Sequence, residues 1–427
     1  MIRSLLFLLL LLPAHARSQE RHVLDNGITL LFHPIPGVAS VAVESVYLGG
    51  FADEPTAQAA HLLEHTMCMG ATASHARGEA FALLNARGLA NAETLPTFTH
   101  YDAVVPTDDL PSVLRLEFER LTSLVINDDL LAIEAPRCAD EARFLADRPD
   151  APLAKFALMA AFDAWRNPGA SPRLLIGPGD LSAESISLLH RRIHQPANLT
   201  LVIAGNFDPP AALALARETL ALVPPGSRAP LPAPRFADEP AHRAVRWDLP
   251  RTALVLFWPP PDNPADAASL TVLGDLIAPT LMTDPQSREL AASIVCSNSL
   301  WPVGEVPFFV CATLRDDHPE AENALRERLL EIIAATLGRR IDLDAHRGML
   351  AAPLPDEAEV RAGIPALARR MGISPERAES LVVGQAALTL AIREAVTPHA
   401  TPDAAAVRTA AARHLAPDDL RTLRLEP

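Results

Sequence analysis

The residues of this chain best suited to chemistry form the segment His61-Leu62-Leu63-Glu64-His65. On a helix, residues four apart lie one turn from each other on the same face, so both imidazoles reach one metal ion. Glu64 lies on the same side, where its carboxylate can take a proton from a metal-bound water that attacks a carbonyl group. Composition alone predicts roughly 0.03 matches to this pattern. We therefore predict a helical metal site with Glu64 as the catalytic base.

A catalytic zinc usually has a third protein ligand. The best candidate is Glu141, on a later predicted helix, with Glu134 seven residues earlier and on nearly the same helical face. One carboxylate would bind the ion, and the other would orient a histidine or the ligand glutamate without binding the ion itself. Taken alone, two glutamates on one helix are more often a solvated face.

The elements that must position these residues recur in the same order in two halves of the chain. Apolar periodicity in the first half predicts strand 41–47, helix 61–69, strands within 95–105, helix 110–124, helices within 129–145, helix 185–193 and strand 199–205. The second half offers strand 253–258, helix 265–281, a hairpin within 293–313, helix 319–337, further helical segments, helix 404–415 and strand 420–425. We predict an α+β fold of two homologous domains, each an antiparallel sheet covered by helices, that form a clamshell around a substrate cleft.

Composition shifts set the expected boundaries. Residues 1–16 have a positive start, an apolar run and small residues at their end, which is typical of a secretory signal peptide and predicts a periplasmic or secreted protein. Residues 224–242 are rich in proline and predict a linker. They separate a metal-binding domain (17–223) from a related domain without the metal motif (243–427).

Charge and composition exclude some classes of protein. The chain has 427 residues, 49% of them hydrophobic, and a formal net charge of −15. A negative surface argues against nucleic acid as a partner. After the signal segment, no stretch is long enough to predict a membrane span. Lys155 is the only lysine, which we interpret as a bias of genomic composition.

The four cysteines of an exported chain suggest disulfides. Cys296 and Cys311 flank a predicted turn, and a hairpin would place them opposite each other. Cys68 follows His65 by three residues and Cys138 precedes Glu141 by three, so these two would meet if the helices share a metal. The alternative, that Cys68 and Cys138 are small buried fillers, has equal weight.

The chain resembles the pitrilysin/insulinase family of zinc metallopeptidases (the inverzincins), in particular its short, two-domain, processing-peptidase-like bacterial branch. The motif at positions 61–65 carries this resemblance, together with Asn91-Ala92-Glu93-Thr94, Thr99 and Tyr101. In the family a ligand glutamate lies about 76 residues beyond the second histidine, which is the position of Glu141. The resemblance implies one zinc per chain held by His61, His65 and Glu141, with Glu134 in support. It also implies that Asn91, Ala92 and Thr94 belong to a strand edge that aligns extended peptide.

The second half departs from the family pattern. An arginine followed seven residues later by a tyrosine commonly contacts substrate there. Arg288 fits the first position, but Val295 occupies the second, which removes one donor to a developing oxyanion. The resemblance implies a zinc endopeptidase that acts on extended peptides or small unfolded polypeptides, as a homodimer or beside a related subunit. The alternative is a metal-binding subunit of a hetero-oligomeric peptidase with little activity alone.

Overall fold

Two mixed β-sheets with the same strand order form the framework of the protein. The computed structural model describes residues 20–148, 153–226, 239–304, 306–315, 319–339, 356–396 and 402–427, with residues 236, 341, 343 and 354. The predicted signal segment (1–16) and much of the predicted linker lie outside these residues, and the domain boundaries stay a prediction.

The first sheet is built from six strands, in the order β1-β2-β6-β3-β5-β4. These are β1 (Glu20–Val23), β2 (Thr29–Pro34), β3 (Ser40–Leu48), β4 (Leu89–Thr94), β5 (Phe98–Pro106) and β6 (Leu199–Gly205). The second sheet has the order β7-β11-β8-β10-β9. Its strands are β7 (His242–Arg246), β8 (Ala253–Trp258), β9 (Ala291–Cys296), β10 (Phe308–Leu314) and β11 (Arg421–Glu426).

The strand orders confirm the predicted duplication. Without β1, the first sheet reads β2-β6-β3-β5-β4, and each strand has a counterpart at the same place in the second sheet. The prediction of purely antiparallel sheets was wrong in one respect. In each half the last strand pairs in parallel with the first of these strands, β6 with β2 and β11 with β7. The helices between these strands provide the long connection that parallel pairing requires.

Helices cover both sheets. In the first half they are α1 (Ala59–Met69), α2 (Glu79–Arg87), α3 (Leu110–Thr122), α4 (Asp128–Ala146), α5 (Ala154–Arg166), α6 (Ala183–Ile193) and α7 (Pro209–Thr219). In the second half they are α8 (Pro264–Thr283), α9 (Pro285–Leu290), α10 (Pro319–Gly338), α11 (Glu357–Met371), α12 (Pro375–Val396) and α13 (Ala404–His414). Helix α8 is apolar and long enough to cross a membrane, but half of its apolar window is buried, as in the core helix of a folded domain.

Two helices are exchanged between the halves. Helix α5 packs against β8 and β10 of the second sheet, where Trp165 lies 4.8 Å from Phe257 between ring centroids. In return, α12 packs against β3, β5 and β6 of the first sheet, and Ser40 Oγ donates to Glu379 Oε1 at 2.9 Å. The larger apolar cluster therefore contains residues of both halves, and a second cluster lies wholly within the second half.

The predicted disulfide between Cys296 and Cys311 is wrong. Strands β9 and β10 do form a hairpin, but Cys296 pairs with Val310 and Cys311 with Val295. A shift of one residue turns two side chains to opposite faces of a sheet. Cys296 accordingly contacts the carbonyl of Gly274 in α8, and Cys311 that of Ala154 in α5. Cys68 and Cys138 are also free thiols; Cys138 is buried, as the alternative interpretation predicts, whereas Cys68 is only partly buried.

Candidate metal centre

Helix α1 carries three of the residues singled out from the sequence, and its first turn is anchored by buried polar groups. Leu62 and Leu63 are buried and fix the helix on the core. The free N–H groups of the first turn need acceptors, and the Glu54 carboxylate accepts from Ala60 N at 2.9 Å. Arg120 of α3 donates to the carbonyl of Met67 at 3.2 Å, near the other end of the helix. The helix that holds the motif is thus fixed at both ends.

Helix α4 brings the carboxylates to α1. It begins at an Asn127 cap, whose side chain accepts from Leu130 N, and it packs directly on α1. Glu141 reaches His61 and Glu134 reaches His65, so the two helices run in opposite directions at the crossing. Because the spacing of seven residues keeps both glutamates on one face, each histidine meets one carboxylate.

The hydrogen bonds of the imidazoles leave both Nε2 atoms free to bind a metal. His65 Nδ1 lies 3.2 Å from Glu134 Oε2, and a carboxylate oxygen can only accept, so Nδ1 carries the proton. His61 Nδ1 lies 2.7 Å from Gln58 Oε1, which also accepts. In each ring the unprotonated nitrogen is therefore Nε2, the tautomer that metal binding requires.

Glu141 completes a three-ligand set that fits a cation. Its Oε2 lies 3.2 Å from His61 Nε2 and 4.0 Å from His65 Nε2, close to the roughly 3.3 Å between neighbouring ligands of a tetrahedral zinc. The contact with His61, opposed by burial, lowers the pKa of Glu141 to about 2, so the group is a carboxylate at neutral pH. A divalent cation bound here would take the place of the proton that His61 Nε2 shares with Glu141 Oε2, and His65 Nε2 lies 4.0 Å from the same oxygen.

Glu64 lies on the same helix and faces the same cavity. It is mostly buried, and Thr94 Oγ1 donates to its Oε2 at 2.6 Å. The prediction that Thr94 contacts substrate is not supported, because its side chain is completely buried beneath Glu64. Thr94 instead holds the Glu64 carboxylate in place, and Glu64 Oε1 remains available to accept a proton.

A cavity of about 300 Å³ joins these groups to strand β4. Asn91, Ala92 and Glu93 line it beside the histidines, and β4 is the last strand of its sheet. The cavity also contains the only lysine of the chain, Lys155, whose Nζ lies 3.4 Å from Glu93 Oε1. Sequence reasoning missed this lysine, because nothing in the local pattern indicates that the start of α5 reaches the cavity beside the two histidines.

The structure does not bring Arg288 to this cavity. Arg288 is exposed on α9, and its backbone carbonyl accepts a hydrogen bond from Arg315. The lining of the cavity, among the residues that the structure describes, comes from the first half of the chain. A substrate contact by Arg288 stays a prediction.

Cys138 approaches the histidines more closely than the sequence suggested. Its sulfur and a ring nitrogen of each of His61 and His65 lie within 4.8 Å of one another. Burial raises the pKa of this thiol well above its ordinary value, so it is protonated at neutral pH.

Comparison with known proteins identifies relatives of parts of the chain. The family described as "Peptidase M16 inactive domain" matches residues 180–339, which do not include the cluster at 61–141. An uncharacterized zinc protease of Mycobacterium tuberculosis is 31% identical over 223 residues, 48% of this chain and 48% of that relative. The chain thus spans about half the length of the curated relatives it matches.

Solved structures share the fold of the whole chain. A protease from Helicobacter pylori has a TM-score of 0.63 at 17% identity, covering 97% of this chain and 100% of that one. Pitrilysin has a TM-score of 0.58 at 18% identity, covering 97% of this chain and 46% of pitrilysin. Residues 180–339 therefore match the M16 peptidase family model, and the two repeated sheets have the fold seen in pitrilysin and in the H. pylori protease.

Proposed function

We propose that this chain is a zinc-dependent endopeptidase that hydrolyses extended peptides or small unfolded polypeptides. The observation that carries the proposal is the convergence of His61 Nε2, His65 Nε2 and Glu141 Oε2 beside the carboxylate of Glu64. Two imidazoles and one carboxylate form the ligand set of catalytic zinc in hydrolases, with a position left open. The name of the M. tuberculosis relative, a zinc protease, supports the choice of metal.

The residues of the chain divide the chemistry between them. When bound, zinc polarises the scissile carbonyl and lowers the pKa of a coordinated water. Glu64 takes the proton of the attacking water and delivers it to the leaving amine, while Thr94 fixes the carboxylate for both transfers. Glu134 holds His65 in its metal-binding tautomer, and Arg137 donates to Glu134 at 2.7 Å.

The test is a joint measurement of metal and activity. We expect the purified protein to contain one zinc per chain and to cleave unstructured peptides. A chelator is expected to abolish cleavage, and added zinc to restore it. Protein that binds no zinc, or cleavage that survives complete removal of the metal, would overturn the proposal.

Strand β4 is proposed to align the substrate by backbone pairing. Leu95 N donates to Phe98 O across the end of this hairpin, so by alternation Asn91 and Glu93 also bond to β5. The N–H and C=O of Ala92, between them, therefore point to the outer edge. An extended peptide that adds as a further strand meets them beside the metal ligands.

Removal of the backbone N–H of Ala92 tests whether a peptide pairs with the outer edge of β4. We expect Ala92→Pro to lower kcat/KM for peptides about ten-fold, because it removes one backbone hydrogen bond and crowds the approach. The fold tolerates proline where the N–H faces away from the sheet. Ala92→Ser, which keeps the N–H, is the control. Equal kcat/KM for Ala92→Pro and Ala92→Ser would contradict pairing at this edge.

A second candidate function is that of a metal-binding subunit with little activity alone. Two observations favour it: Arg288 lies away from the cavity, and the chain matches 46% of pitrilysin. Size-exclusion chromatography combined with hydrolysis assays, alone and with a co-exported homologue, separates the two candidates. Equal activity in both samples would exclude the second candidate function.

The leader-like residues 1–16 lead us to propose export to the periplasm or medium, and fractionation of the native host tests this.

A further inference from the structure

Gln58, at the start of α1, has an unusual backbone for its residue type. Its φ of 72° and ψ of −5° lie in the left-handed region, and among the described residues it is the only one other than glycine with positive φ. A side chain with a Cβ is disfavoured in this region. The equivalent position of α2 has almost the same angles, 73° and −7°, and there the residue is Gly78. Such strain persists where the surrounding structure requires the residue and is concentrated at functional sites.

The side chain of Gln58 has a single consistent hydrogen-bonding arrangement. It is completely buried, and its amide nitrogen donates to the carbonyl of Leu174 at 2.9 Å. The amide oxygen must then face His61, whose Nδ1 lies 2.7 Å away. The opposite orientation of the amide would place two oxygens against each other. An oxygen at this position keeps the proton of His61 on Nδ1 and leaves Nε2 unprotonated.

The carbonyl that orients Gln58 is itself fixed from the second half of the chain. The Asp248 carboxylate accepts from Leu174 N and from Leu175 N, both at 2.8 Å. Hydrogen bonds therefore run from Asp248 through the backbone of Leu174 and the amide of Gln58 to His61. Each of these groups is a donor or acceptor that cannot rotate freely, so the ring of His61 is held at both its angle and its tautomer.

We infer that Gln58 is a positioning residue, which fixes the tautomer and orientation of His61 so that Nε2 meets the metal. This inference rests on the proposed function, since it assigns His61 as a zinc ligand. Residues that orient a metal-bound histidine through its second nitrogen contribute about 10- to 100-fold to metal affinity. The strained, left-handed backbone of Gln58 is then explained by the need for a side-chain amide at this position, where α2 has a glycine.

Two variants separate positioning from a purely structural role. Gln58→Leu keeps the size of the side chain but offers His61 no acceptor, and we expect zinc to bind 10- to 100-fold more weakly. Gln58→Glu still accepts from His61 but faces the Leu174 carbonyl with an oxygen. It should unfold at a lower temperature and yet bind zinc nearly as tightly as the unaltered protein. Zinc affinity is measured by competition with a chromophoric chelator on samples whose folding is verified by circular dichroism.

A spectroscopic readout and a control complete the test. In metal-free protein, nitrogen NMR should show His61 protonated at Nδ1, and Gln58→Leu should add the other tautomer. Gly372 also has positive φ, with open space around it, so Gly372→Ala tests left-handed strain alone and should leave zinc affinity unchanged. Unaltered zinc affinity in Gln58→Leu, or affinity that follows thermal stability in every variant, would overturn the inference. Absence of zinc binding by the unaltered protein would instead overturn the proposed function.

Discussion

Replacing Glu64 with glutamine is expected to lower peptide hydrolysis by about 10²- to 10⁴-fold while the zinc content stays the same. The amide keeps the size of the side chain and can still accept from Thr94, but it cannot take a proton from water. Because Glu64 is not one of the three proposed ligands, we expect the metal to be retained. The measurement is kcat/KM for an unstructured peptide together with metal analysis of the same sample.

The matched control for this variant is Glu93→Gln. It makes the same chemical change on the same cavity, at a carboxylate whose Oε1 lies 3.4 Å from Lys155 Nζ. We expect its activity to fall far less than that of Glu64→Gln, since it removes a part-buried contact with Lys155 and leaves the proposed base in place. Full activity in Glu64→Gln would show that the base is wrongly assigned, and loss of zinc would show that Glu64 is a ligand.

Replacing Arg120 with methionine is expected to lower the free energy of unfolding by about 3–5 kcal/mol. Arg120 is buried, its Nη1 lies 2.5 Å from Glu117 Oε1, and its guanidinium lies 5.5 Å from the ring centroid of Tyr101. The variant leaves the Glu117 carboxylate buried without its charge partner, and it also frees the Met67 carbonyl at the end of α1. Denaturant unfolding measures the change.

Two further variants identify the cause of this loss. Arg143→Met removes an exposed arginine that pairs with the exposed Asp140, and we expect a change below about 0.5 kcal/mol. Adding Glu117→Leu to Arg120→Met removes the stranded charge and should recover much of the lost stability. If the double variant is less stable than Arg120→Met, the buried charge is not the reason for the loss.

The sequence was sufficient to predict the elements that carry the chemistry. The imidazoles and glutamates follow helical spacing, and the strands have short β-rich runs, so local patterns identify both. Helix α5 was missed for a physical reason. Nearly every one of its residues is buried, from Ala154 to Trp165, because it packs on the second sheet, and the sequence of the first half does not reveal that contact.

Other features depend on contacts that a local pattern does not encode. Whether Cys296 meets Cys311 depends on a shift of one residue between strands, which the length of the intervening turn does not determine. The parallel pairing of β2 with β6 joins segments far apart in sequence. Gln58 gave no signal either, because a polar residue just before a helix is ordinarily read as a cap or a solvated side chain. Only its burial and its left-handed backbone indicate another role.

The packing of α5 and α12 on each other's sheets has a consequence for cleavage of the chain between its halves. A protease that cuts between residues 226 and 239 would divide the chain into two pieces, and each piece would contain a helix that packs on the sheet of the other. The nicked molecule should therefore stay associated. Each piece, expressed by itself, would expose the sheet surface that the other piece's helix covers, so we expect the segment that bears the histidines to be less stable alone than in the intact chain.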